Sequence, residues 1–207
     1  MTCGLLGGCA DARGRFEDFH DRLEAAAPSA DAGVDAHDAS DGGACVPPAP
    51  GAVSGPALLA IETSLGEGAP ILFLGTIDTP AVDDTTAVRF AYQALDARDR
   101  STRVGPKLSV GPFPLDGGLL TAPIPESTLD GNADPILYGT PIDSEMTLSG
   151  QICGVRRFYC GTLKGKTSGV VSAKFTGKFA ITLLDGPDAV PDRPRYGCGT
   201  ADTAPAL

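Results

Sequence analysis

The sequence predicts an all-β protein, an antiparallel β-sandwich of about eight or nine strands, preceded by a short N-terminal helix and a disordered linker. Three observations predict it. Residues 57–186 divide into short segments in which apolar and polar residues alternate with period two, the pattern of a strand with one wet face. Gly, Pro and Asp clusters separate these segments, and the chain holds 27 Gly and 18 Pro among 207 residues. Helical periodicity does not alternate with the strands, which excludes a doubly wound α/β fold.

Residues 1–9 read Met-Thr-Cys-Gly-Leu-Leu-Gly-Gly-Cys. Leu6-Gly7-Gly8-Cys9 resembles the lipobox of bacterial lipoproteins, and the resemblance implies lipid attachment at Cys9. No Lys or Arg precedes it and its apolar run is shorter than a signal requires, so this stretch reads as a truncated signal. Residues 10–27 read as a short amphipathic helix, with Phe16, Phe19, Leu23 and Ala26 or Ala27 on one stripe and Pro28 ending it. His20 lies beside that stripe among charged neighbours, where a solvated side chain is expected. Residues 28–56 are rich in Ala, Asp, Gly and Pro, which is linker composition. Asp35, His37, Asp38 and Asp41 mimic a metal loop, but the calcium-loop spacing fails, since from Asp35 its ligand positions read Asp35, His37 and Ala39.

The β domain spans 57–186. Leu58–Thr63, Pro70–Thr79 and Ala87–Leu95 read as strands, and Ile71–Leu74 is apolar on both faces. Val88, Phe90, Tyr92 and Ala94 alternate with Arg89 and Gln93. In Val104–Phe113 and Gly118–Ile124 the prolines at 106, 112, 114, 123 and 125 confine the strands to edges or ends. Asp130–Pro135 mimics a calcium loop without the glycine its turn needs. Residues 187–207 form an irregular tail.

The stretch from Met146 to Leu184 organises the domain. Met146, Leu148, Gly150 and Ile152 share one face, as do Tyr159, Gly161 and Leu163. Placing 153 opposite 160 satisfies a Cys153–Cys160 disulfide and sets Ile152 against Gly161 and Gly150 against Leu163. Cys45 then pairs with Cys198 by elimination. The odd-numbered apolar series continues from Val171 through Leu183. It fits either one long strand bent at Gly177 or a hairpin whose loop contains it.

The formal net charge of −10 opposes nucleic-acid binding. Six cysteines in a Gly/Pro-rich chain point to an oxidising compartment. Cys160–Thr167 imitates a phosphate loop, but its glycine is one residue late and it leads into strands. Both histidines precede the β domain, which removes histidine-dependent hydrolysis and zinc sites from it. Glu62, Asp83, Asp84, Asp143 and Glu145 are the candidates for a carboxylate pair. As a whole the chain resembles uncharacterised bacterial surface lipoproteins. That resemblance implies a cell-envelope protein anchored to the membrane at Cys9, its domain outside the cytoplasm, and carries no known activity; the expected role is a non-catalytic structural or binding module for a protein or glycan. The alternatives are a carbohydrate- or calcium-binding module and a carboxylate hydrolase. No catalytic residue, metal or cofactor is expected.

Overall fold

The computed structural model describes residues 45–205. The lipobox-like segment with Cys9, the expected helix at 10–27 and residues 28–44 lie outside the described residues. Nine strands follow one another: β1 Ser54–Thr63, β2 Ile71–Asp78, β3 Ala81–Val82, β4 Thr85–Leu95, β5 Arg103–Asp116, β6 Leu119–Leu129, β7 Ile142–Gln151, β8 Phe158–Ser168 and β9 Ala173–Leu183. Neighbours in sequence pair antiparallel, except that β2 passes over the two-residue β3 to pair with β4. The first strand also pairs with the last, from Ala57–Leu183 to Thr63–Gly177. That ladder closes eight strands into an antiparallel barrel. The expected β-sandwich is therefore corrected. Strand number and alternation are the same in both architectures, and only the pairing of β1 with β9 distinguishes a tube from two stacked sheets. Among the described residues the one helical piece is a 3₁₀ turn at Gly131–Ala133.

The register defines the inner wall. Leu59 and Ile61 of β1 stand opposite Ile181 and Phe179 of β9. The same row continues through Tyr159 and Gly161 of β8, Gly150 and Leu148 of β7, and Leu120 and Ala122 of β6. Phe90 and Tyr92 of β4 complete it against Ile77 and Gly75 of β2. Large side chains lie over small ones. A Cβ added at Gly150 or Gly161 would meet the Phe179 ring, and one at Gly165 would meet Phe175. Residues 173–183 are a single strand through Gly177.

The outer wall is apolar on β1 and β2 as well. Leu58, Ala60, Leu72 and Leu74 are covered by Tyr196 and Ala204 of the chain beyond β9, with Leu184 and Val190 beside them. This explains why Ile71–Leu74 is apolar on both faces: one looks into the barrel and the other lies under the tail. The tail is held by a Cys160–Cys198 disulfide, by Lys178 Nζ at 2.8 Å from Asp202 Oδ1, and by Arg195 stacked 4.0 Å over Phe158.

At the end where β1 begins, here the lower end, residues 45–53 form a strap. Cys45 is disulfide-bonded to Cys153 in the β7–β8 loop. The Gly154 N–H donates to the Val46 carbonyl at 2.7 Å, and the Thr86 hydroxyl to that of Pro48 at 2.7 Å. Val53 ends the strap buried, its N–H and carbonyl both bonded to the Thr79 hydroxyl. The strap thus runs across the lower opening from β7 to β4 and the end of β2.

Both disulfides correct the expected pairing of Cys153 with Cys160 and Cys45 with Cys198. The β7–β8 ladder sets Gly150 against Gly161 and Leu148 against Leu163, two residues away from the register that would bridge the hairpin. A two-residue shift keeps every side chain on its face, so the burial pattern cannot detect it. Cys153 then falls in the loop beyond β7, within reach of the strap, while Cys160 stays on the outer wall beneath the tail.

Two outcomes follow. In the chain-entropy model the 108-residue separation of Cys45–Cys153 contributes about 5 kcal/mol and the 38-residue separation of Cys160–Cys198 about 4 kcal/mol. Changing both Cys160 and Cys198 to Ser lowers the urea-derived stability by up to that smaller figure. It also removes hydrogen-exchange protection from residues 195–204, with barrel amides remaining protected. Gly161→Ala drives a methyl into the Ser149 carbonyl and the Phe179 ring, and costs about 1–3 kcal/mol in the same assay.

Candidate functional site

The carboxylates singled out in the sequence are not brought together. Asp83 and Asp84 form the β3–β4 turn at the lower end, with φ of 47° and 60°. Asp143 and Glu145 lie at the upper end of β7, where Asp143 accepts from the Thr128 hydroxyl at 2.5 Å and Glu145 pairs with Lys166 at 3.1 Å. Glu62 stands on the outer face of β1 and accepts the Gly68 N–H at 2.5 Å. Asp130 Oδ1 accepts the Asn132 N–H, and Asp134 Oδ1 accepts those of Ile136 and Leu137. Among the described residues no group of three His, Cys, Asp or Glu is arranged to hold a metal ion. Cys160–Thr167 is extended within β8. Cys9 lies outside the described residues.

The structure instead draws attention to the lumen. Its lower half is dry: Ile77, Val88, Leu120, Ile152 and Ile181 are each 1% exposed or less. The strap seals this floor. In the upper half the inner-facing Ile71, Phe73, Val104, Leu108 and Met146 are half-buried. These five side chains reach water through the mouth or the wall, while Ile61, Leu163 and Phe175 of the same half are buried.

The wall itself has a seam there. β5 and β6 are joined by two rungs, Leu115–Leu120 and Asp116–Leu119, and beyond them pair only with β4 and β7. They approach again at the far end, where a Cβ on Gly105 would sit 2.9 Å from that of Asp130. The seam is lined by the prolines at 106, 112 and 114 of β5 and 123 and 125 of β6. Proline has no N–H to give a ladder, so these residues suit an unpaired edge and protect it from strand addition.

An aromatic row descends from the mouth. Ring centroids lie 5.8 Å apart for Phe73–Tyr92, 5.7 Å for Tyr92–Phe90 and 6.5 Å for Phe90–Phe113. Tyr92 is 5% exposed. Burial pushes its pKa well above the ordinary tyrosine range. Inner positions of the ladders carry no Asp, Glu, Lys or Arg.

A cavity of about 110 Å³ lies on the outer wall between Pro70, Leu72, Leu95, Arg100 and Pro205. Its polar groups are already engaged. Arg100 donates to the Pro205 carbonyl at 2.7 Å, and the adjoining Asp96 accepts from the Tyr138 hydroxyl at 3.0 Å. Arg98 stacks 3.6 Å over that same ring. It is a joint between loops.

No protein-family model, curated protein or solved structure matches the chain. The site therefore rests on its own geometry. Sequence reading placed Val88, Phe90, Tyr92 and Ala94 on one strand face without identifying that face as the wall of an accessible lumen. The seam does leave a signal in the sequence, the five prolines, which confine β5 and β6 to edges or ends.

The β4–β5 loop at the rim has a defined acid sensitivity. Asp99 accepts from the N–H groups of Thr102 and Ser101, and these bonds hold its carboxyl at about 2, below the ordinary 3.8. A lowered folded-state value stabilises the loop above pH 3.8 and ceases to do so as pH falls through about 2. Amide exchange at Ser101 and Thr102 accelerates over that interval, and Asp99→Asn abolishes the acid step.

Proposed function

We propose that the barrel binds a small, predominantly apolar molecule in its upper lumen, reached through the mouth and the β5–β6 seam. The observation that carries this reading is the accessible apolar inner wall above a sealed, dry floor. Eight-stranded barrels have an interior that side chains fill or that holds one small ligand. Here the lower half is of the first kind and the upper half fits the second. Small-molecule sites are concave, mostly apolar and supplied with few polar groups. Phe73, Leu108 and Met146 supply the apolar lining and the Tyr92 hydroxyl the polar group. A sugar would leave its hydroxyls facing hydrocarbon on such a wall, at a high desolvation cost.

Titrating the full chain with N-phenyl-1-naphthylamine tests the reading. Expected is a saturable, blue-shifted fluorescence rise at one probe per chain. Met146→Trp enlarges a side chain at the mouth and weakens binding at least tenfold. Because the chain has no Trp, the introduced indole also reports directly on the occupied lumen. A rise without saturation, or identical titrations for the two proteins, overturns the assignment.

A further inference from the structure

We propose that the outer-wall cavity between β2, the β4–β5 loop and the tail binds a small zwitterion, an α-amino acid with a short aliphatic side chain. Its carboxylate meets Arg100 and its ammonium meets Asp96. This site is separate from the lumen, because Leu72 faces it from the outer side of β2, and it does not depend on the lumen reading.

The carrying observation is a pair of opposite charges that face one space without meeting. Asp96 and Arg100 begin and end one turn of the β4–β5 loop, closed by the Arg100 N–H donating to the Asp96 carbonyl at 2.9 Å. Both residues line the same cavity of about 110 Å³. No ion pair forms between them, nor between Arg100 and any other described carboxylate. Each charge is held by neutral groups instead. Asp96 accepts from the Arg98 N–H at 2.8 Å and from the Tyr138 hydroxyl at 3.0 Å. Arg100 gives one N–H to the Pro205 carbonyl at 2.7 Å, and a guanidinium carries several more. Burial lowers the Arg100 pKa, and no carboxylate raises it. The bonds that make this joint therefore leave its charges without counter-ions in contact.

The backbone supplies a second observation. Arg100 is held at φ 51°, a left-handed conformation uncommon for a residue with a Cβ. Residues so held cluster at ligand clamps, where the surrounding structure fixes them. In this conformation the guanidinium reaches both the cavity and the tail carbonyl.

The walls set the size and the rest of the ligand. Leu72 and Leu95 are buried, and Pro70 and Pro135 stand beside them. An apolar cavity of about 150 Å³ admits benzene, so this smaller one suits a molecule the size of alanine. A simple carboxylate would answer Arg100 and repel Asp96, and a simple amine would do the reverse. An amino acid answers both charges, adds no net charge, and lays its side chain on the leucines and prolines.

L-alanine, propionate and L-alaninamide test this with the full chain near neutral pH. They share a carbon skeleton, but propionate lacks the ammonium and alaninamide the carboxylate. The amide NMR signals of Gly68, Leu72, Asp96 and Arg100 report on the site. Alanine is expected to shift them saturably, and each analogue to bind about tenfold more weakly. Arg100→Gln weakens alanine about tenfold and leaves alaninamide unchanged, with the barrel amides in place as the check on folding. The comparison of the three compounds on the unaltered protein needs no variant and decides the matter if Arg100→Gln does not fold. Equal affinities for all three compounds overturn the proposal, as does the absence of saturable alanine shifts at these four amides. Either result leaves the lumen reading untouched.

Discussion

The ladder between β1 and β9 is the constraint on which the rest of the architecture depends. Without it the chain is an open meander whose first and last strands present unpaired N–H and C=O groups to solvent. With it, residues 57–63 and 177–183 become neighbours and the inner faces of eight strands enclose one space. The pairing is the most non-local in the fold, and such contacts form only after a long loop has closed. Two features offset that cost. β1 is buried on both faces, so joining it to β9 removes apolar surface inside and outside at once. The disulfides then tie each end of the domain to the middle of the chain, the strap to the β7–β8 loop and the tail to β8.

The same ring contains its own exception. β5 and β6 part after two rungs, although a tight turn joins them. On β5 the register against β4 shifts twice, between Val88 and Phe90 and between Tyr92 and Ala94, which draws the strand away from β6. Prolines on both sides of the gap remove the donors that a zipped ladder, or an invading strand, would need. A stretch of wall without backbone pairing results, bounded by the hairpin turn at one end and by the Gly105–Asp130 contact at the other. The proposed ligand would pass such a stretch without requiring the rim loops, tied together by Tyr138–Asp96 and Arg100–Pro205, to part.

Much of the fold was legible in the sequence because strand faces are written with period two. β4, β7, β8 and β9 show their inner residues directly as alternating apolar positions. Register was less legible. The cysteines at 153 and 160 share a face and invited a hairpin bridge, yet a shift by two residues preserves faces and separates them. Closure was not legible at all, since it depends on Ala57 meeting Leu183, and nothing local in either strand announces the other. One clue lay in the glycines at 150, 161, 165 and 177, all on the inner-facing series of adjacent strands. Small residues there let a sheet coil tightly and let Phe175 and Phe179 lie across it, as a barrel requires and a flat sandwich sheet does not. The site was half legible: the prolines marked the edges of the seam, but Tyr92 looked like one more residue of an apolar face.

Stability and binding are divided along the barrel axis. The lower lumen, with Ile77, Val88, Leu120, Ile152 and Ile181 fully buried beneath the strap, contributes packing of the density expected in a protein interior. The upper lumen leaves Phe73, Leu108 and Met146 partly in water. Each Å² of apolar surface left wet there forgoes about 25 cal/mol of stabilisation. A ligand that covers it recovers that energy on binding, and so stabilises the folded state in proportion to its occupancy. The arrangement tolerates the loss because the floor and the two disulfides lie elsewhere and the closing ladder runs along the whole of β1. A mouth with wet apolar walls would be a liability in a barrel held together by its upper half. In this one the sealed floor lies at the end opposite to the wet apolar side chains, and the β1–β9 ladder spans both.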